Sequence, residues 1–356
     1  MLTNPQTQND YTDPANAPIQ HLTFNPLASS LAITYNDFSL QICKLPFKSF
    51  ITQPSQQKAP FIPRPETTPH STIKHPPRPI FSHLYNNELL SYGNKIYNIQ
   101  KSNGKEAIPS ICNFGENANH AAWFYNDKFC VISKDNEIKV CKLKLSRVGG
   151  GSTSQGHLQA QSKVVQKYSH EGANTILALA CINTSLSHLI ASSASDKSLT
   201  LSDVATGKSY WSVKAGCGSR AAHCIALPNV SCNVGLPAEC YCLLACSSTD
   251  SGGLVKLWDV RSGTPAAQLR GHVNRREVCN VSFSPCMRYI SCGSEDQNGA
   301  VVYDLRGGGG EGESNTIVGR CRKNFKDGSI VDVQYNPIYP QMCTGSTCGV
   351  VKFYSE

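Results

Sequence analysis

Histidine, serine and aspartate recur in this chain in an order that invites a catalytic reading: His272, Ser291 and Asp296, then His170, Ser192 and Asp196. Such groups can build an acyl-transfer centre, in which an imidazole takes the hydroxyl proton and a carboxylate orients the ring. Two features argue against it. No G-x-S-x-G turn occurs in the chain, so neither serine sits at a sharp strand-to-helix elbow. Each serine lies inside an apolar stretch that reads as a strand.

Other chemistry is weaker still. "ATGKSY" (Ala205 to Tyr210) carries the Gly-Lys-Ser tail of a phosphate loop, but Ser202 stands where the first glycine belongs and no helix pattern follows. Cys232, Cys240, Cys242 and Cys246, with Cys217, Cys224 and His223 nearby, are metal-ligand types. They lack C-x-x-C spacing, and the even intervals between Cys240, Cys242 and Cys246 suit one buried strand face. "RCRKNFK", Arg275-Arg276 and "KLKLSR" are basic without interleaved aromatics, so solvated turns are expected in place of a nucleic-acid platform. No cofactor and no metal site is expected.

The bulk composition favours solubility and loose attraction to acidic partners over a dedicated nucleic-acid surface. The chain has 356 residues, 40% of them apolar and 16% charged, with a net charge of +8. "MLTNPQTQND" offers neither a basic nor an apolar signal region, and no run of eighteen apolar residues suggests a membrane span. Seventeen cysteines, an odd number without a leader, point to reduced thiols in the cytoplasm, with the nucleus as the alternative.

The elements that carry these residues repeat. "IASSASDKSLTLSDVATG" (Ile190 to Gly207), "LACSSTDSGGLVKLWDVRSG" (Leu244 to Gly263) and "ISCGSEDQNGAVVYDLRG" (Ile290 to Gly307) share one layout. Each is a strand, an Asp turn, a second strand and a Gly turn. "LAITYNDFSLQICKL", "CVISKDNEIKVCKL", "MCTGSTCGVVKFYSE" and the degenerate "LLSYGNKIYNIQK" make seven copies. "LTFNP", "VSFSP" and "VQYNP" place a further strand and a Pro turn before three of them, and proline belongs where a strand stops.

On these residues the chain resembles the WD-repeat β-propeller family. The resemblance implies an all-β fold of seven four-stranded blades spanning 17–356. It also implies a structural hydrogen-bonded set in each blade, built from a His before the first strand, a Ser on the second, an Asp in the next turn and a Trp on the third. Blade six offers His272, Ser291, Asp296 and Tyr303; blade four, His170, Ser192 and Asp196; blade five, Asp250 and Trp258. Blades one and three keep Asp37 and Asp135 but carry Cys43 and Cys141 at the Trp position, and blade seven has Cys348 at the Asp position.

Around the repeats, 47–79 reads as a disordered Pro-rich insertion, and 148–162 and 306–314 read as flexible loops. Residues 1–16 are the candidate for closing the last blade, although they make a poor strand. Trp258-Asp259-Val260-Arg261 and Tyr303-Asp304-Leu305-Arg306 stand at equivalent places on consecutive blades. They resemble the WD-x-R box of propellers that act as substrate receptors for cullin-RING ubiquitin ligases. The expectation is a non-enzymatic scaffold for proteins or peptides, with the ligase-receptor role as alternative and with neither nucleic acid nor membrane as partner.

Overall fold

The computed structural model describes residues 8–12, 17–45, 61–62, 78–82, 89–99, 110–114, 118–148, 157–185, 187–228, 242–296, 299–306, 317–321 and 328–355. They form seven four-stranded antiparallel sheets arranged as a β-propeller, with strands numbered here in chain order. After β1 (Gln8–Thr12), blade one is β2 (Ile19–Phe24), β3 (Ser30–Tyr35), β4 (Leu40–Lys44) and β5 (Phe61–Ile62). Blade two is β6 (Ile80–Phe81), β7 (Leu89–Tyr92), β8 (Lys95–Asn98) and β9 (Ser110–Asn113). Blade three is β10 (His120–Phe124), β11 (Phe129–Lys134), β12 (Glu137–Val148) and β13 (His157–Ser169).

Blade four is β14 (Ile176–Cys181), β15 (Leu189–Ala194), β16 (Ser198–Asp203) and β17 (Lys208–Lys214). Blade five is β18 (Cys224–Ala226), β19 (Leu243–Ser248), β20 (Leu254–Asp259) and β21 (Thr264–Leu269). Blade six is β22 (Val281–Phe283), β23 (Tyr289–Cys292), β24 (Ala300–Asp304) and β25 (Ile317–Cys321). Blade seven is β26 (Ile330–Tyr335), β27 (Gln341–Ser346) and β28 (Val350–Ser355), and β1 pairs antiparallel with β28 as its outer strand.

The core is divided among seven interfaces. Each blade buries both faces, so its strands read as apolar on both sides, and one cluster of buried side chains fills each gap. Ile19, Leu22 and Ile33 meet Cys343 and Val351 between blades one and seven. Val255 and Leu257 meet Val281 and Ile290 between blades five and six. Five further clusters fill the remaining gaps. No blade has a core of its own, and truncating one of these side chains costs about 2–5 kcal/mol.

The Asn-Pro and Ser-Pro turns end the inner strands by a common device. The buried side chains of Asn25, Ser284 and Asn336 accept the backbone N–H of Ser30, Tyr289 and Ile338 at 2.8, 2.9 and 3.0 Å. The side chain thus satisfies backbone donors that the proline turn would otherwise strand.

Two sequence expectations about connecting segments change in part, and a third lies almost wholly outside the described residues. Within 47–79, Phe61 and Ile62 pair with Gln41 and Leu40 as the outer strand of blade one, and Arg78 makes a buried ion pair. The rest of that segment lies outside the described residues. Within 148–162, Val148 and residues 157–162 are strand, because β12 and β13 extend into a ribbon. Of 306–314 only Arg306 lies among the described residues.

Candidate functional site

The blade-six set is buried where β23 and β24 meet the loop before β22. His272 Nδ1 lies 2.8 Å from the Tyr303 hydroxyl, with the rings edge to face. Burial pushes the His272 pKa down to about 4, with His223 adding to the effect and Asp296 opposing it. The imidazole is therefore neutral at pH 7. Asp296 accepts the Ser294 hydroxyl at 2.7 Å.

Ser291 does not belong to this set. Ile290 faces Tyr303 across the strand pair, so 290 and 292 share the tyrosine's side of the sheet and Ser291 points the other way. Its hydroxyl bonds Tyr335 of blade seven. Cys292 stands at the position that Ser192 holds in blade four.

Blade four is the fullest set. His170 Nε2 is 2.8 Å from Ser192 Oγ, and His170 Nδ1 is 3.1 Å from Ser198 Oγ. Ser198 in turn donates to Asp196 at 2.6 Å. Asp196 thus reaches the ring through a serine. Burial works against ionisation of Asp196, but the Ser198 bonds and the His170 ring hold its carboxyl below the usual range. Burial also lowers the His170 pKa, with Asp196 opposing. A satisfied network of this kind rigidifies the sheet.

Blade five substitutes throughout. Asp250 binds the hydroxyl and backbone N–H of Ser219, which pull its carboxyl down. Trp258 Nε1 donates 2.9 Å to the Gly216 carbonyl. Cys217 follows that glycine as His272 follows Gly271, and it approaches the Cys246 carbonyl at 3.4 Å. Cys246 takes the serine position, since Leu244 faces Trp258. Gly216-Cys217 against Gly271-His272 was the available sequence signal for this pair.

A second polar system runs between inner strands. Arg78, just before β6, pairs with Asp332 of β26 at 3.0 Å, and Asp332 also accepts Leu22 N–H of β2 at 2.7 Å. Three blades meet on one fully buried carboxylate. Burial raises its pKa, and Arg78 and the Leu22 N–H oppose that rise. Asp127 of blade three likewise bridges blades two and four, accepting hydrogen bonds from Ser82 Oγ at 2.6 Å and Asn183 Nδ2 at 2.6 Å. His223 Nε2 reaches the Cys279 carbonyl at 3.0 Å, from blade five to blade six.

The WD domain, G-beta repeat family matches residues 263–298, a stretch that holds His272, β22, β23 and Asp296. The chain is a β-propeller carrying a WD repeat. WD-repeat propellers generally serve as protein-interaction scaffolds, and in this chain the His170–Ser192 and His272–Tyr303 pairs lie buried within blades.

The two W/Y-D-x-R stretches of this propeller are not equivalent. Arg261 folds back on Asp259 at 3.0 Å, while its side chain stays 63% exposed. Asp304 instead holds Arg288 at 2.9 Å and takes only the backbone N–H of Arg306. The Arg306 side chain is exposed and makes no ion pair among the described residues. Trp258 and Tyr303 are buried, so neither ring is offered to a partner. Trp258 stacks on Trp211 of blade four at 5.9 Å.

Cys232 and Cys240 lie outside the described residues. Among the described residues, no group of three or more His, Cys, Asp or Glu is placed to share a metal ion. Gly207 turns the β16–β17 hairpin with a φ of 72°, a conformation glycine adopts without strain.

Proposed function

We propose that this propeller is a non-catalytic scaffold that presents its loops to protein or peptide partners in the cytoplasm or nucleus. Neither nucleic acid nor membrane is part of this reading, and no cofactor is required. The observation that carries it is the burial of the His170–Ser192 and His272–Tyr303 pairs within blades. No hydroxyl of these sets is open to substrate, whereas the loops between strands are. Among the described residues, no helix is long and apolar enough to cross a membrane.

The stretches "LRGHVNRREVCNVSFSPCMRYISCGSED" and "VDVQYNPIYPQMCTGS" resemble the C-terminal propeller of WD repeat-containing protein 27, which favours a scaffold of that type. Affinity purification of the tagged chain followed by mass spectrometry tests the reading. Reproducible recovery of protein partners supports it; recovery of nothing above an untagged control sinks it.

A second reading, substrate receptor of a cullin-RING ligase, draws on the exposed guanidinium groups of Arg261 and Arg306, which suit multidentate contacts. It requires cullin-ligase components among the recovered proteins, lost in the Arg261→Ala, Arg306→Ala double variant.

A further inference from the structure

Blade three departs from the others in the length of its outer strands. Described strands of the other blades reach seven residues at most, while β12 has 12 and β13 has 13. Phe129, the start of β11, faces Lys142, and six further pairs of β12 and β13 follow, from Leu143 with Ser162 to Val148 with His157. At about 3.4 Å per residue, this ribbon runs on the order of 20 Å past the end of β11.

One side of the ribbon is seated. Leu143 is buried, and Leu145 and Ala160 pack on the core between blades two and three. Strand alternation then puts Lys142, Lys144 and Lys163 together on the opposite, exposed side. Lys142 and Lys163 stand directly across from each other, an arrangement that weakens strand pairing.

Nothing in the ribbon neutralises them. Glu137 to Ser169 holds five Lys and one Arg against one Glu. That Glu137 lies beside Lys139, 3.8 Å away, at the far end of the hairpin. Neither Lys142, Lys144 nor Lys163 has a carboxylate partner among the described residues. Gly207 of blade four lies against Gln166, which brings the exposed Lys208 to the same neighbourhood. Asp203 of that loop is engaged with Ala205 N–H at 2.9 Å and Thr206 Oγ1 at 3.0 Å.

We propose that this cationic side of the blade-three ribbon docks an extended acidic peptide segment of a partner protein. The inference rests on the scaffold reading and names the chemistry of one partner. Carboxylates at alternate positions of an extended chain repeat every ~6.8 Å, the spacing of Lys142 and Lys144 on one side of a strand. Lys163 lies one strand over and engages the same peptide. β13 is the last strand of its sheet, and such an edge accepts an added strand. A nucleic acid would need stacking aromatics; the hairpin has only Tyr168, whose hydroxyl is bound to the Asp203 carbonyl.

Fluorescence anisotropy on the full chain tests this. The probes are a labelled ten-residue peptide alternating Glu and Thr, a block peptide of the same composition, a thymidine oligonucleotide and phosphatidylserine vesicles. The alternating peptide should bind best. The Lys142→Glu, Lys144→Glu, Lys163→Glu variant should weaken it at least tenfold, and Arg275→Glu, Arg276→Glu should not. Unchanged affinity in the triple variant, or tighter binding of oligonucleotide or vesicle, overturns the proposal. Circular dichroism checks that the variant folds, and Lys144→Glu alone, with a smaller loss expected, serves if it does not. Proteins recovered on purification without any peptide binding would reject the ribbon site alone; recovery of no protein would reject the scaffold.

Discussion

Arg78 and Asp332 pair at 3.0 Å although blade one lies between the blades that carry them. Asp332 has no exposed side-chain surface, whereas Arg78 is 25% exposed. The pair therefore clamps the ring from blade two to blade seven, with the Leu22 N–H bound in the middle. Arg78→Ala leaves a buried carboxylate without its cation. Unfolding in denaturant should show a loss of about 3–5 kcal/mol. Adding Asp332→Asn should recover part of that loss, because the orphaned charge is removed with it.

His272 gives the fold an acid-sensitive point. Its folded pKa of about 4 lies below the unfolded value of 6.5, so the unfolded chain binds the extra proton between those limits. Stability then falls as pH drops from 6.5 towards 4 and is fully retained above 6.5, by an amount on the order of 3 kcal/mol. His272→Gln should lower stability at pH 7 through loss of the Tyr303 bond, yet flatten the change between pH 7 and pH 5. Melting temperatures of both proteins at the two pH values check this.

Ser291 joins blades six and seven through Tyr335. Ser291→Ala and Tyr335→Phe should each cost about 1–3 kcal/mol, since each leaves a buried hydroxyl or its partner unsatisfied. The double variant should cost less than the sum, because only one bond is at stake. Additive losses in chemical denaturation would place Ser291 in some other role.

Lys163 faces Lys142, so Lys163→Glu turns a like-charged cross-strand pair into an opposite one. A gain of about 0.2–1 kcal/mol is expected, together with weaker binding of acidic peptide. A rise in melting temperature that disappears at high salt would confirm the electrostatic origin.

The repeat pattern made the architecture legible, because each Asp turn and Gly turn is a local signal. The strands of all seven copies fall where the spacing placed them, including the degenerate blade two. The side-chain sets were less legible. A one-residue choice between Ser291 and Cys292 decides which side of the sheet a group faces, and composition alone favoured the serine. Cys217 was hidden because it replaces a histidine with a different chemistry. Arg78 was hidden because proline-rich surroundings mask a residue whose partner is 254 positions away.

Translation delivers Gln8–Thr12 long before Val350–Ser355, the ribbon that β1 must join. A nascent chain consequently carries an unmated segment until β28 emerges, and its pairing is a long-range reunion. Chaperones that shelter sheet edges would act on that interval, and a stalled ribosome would leave the ring open at this one seam.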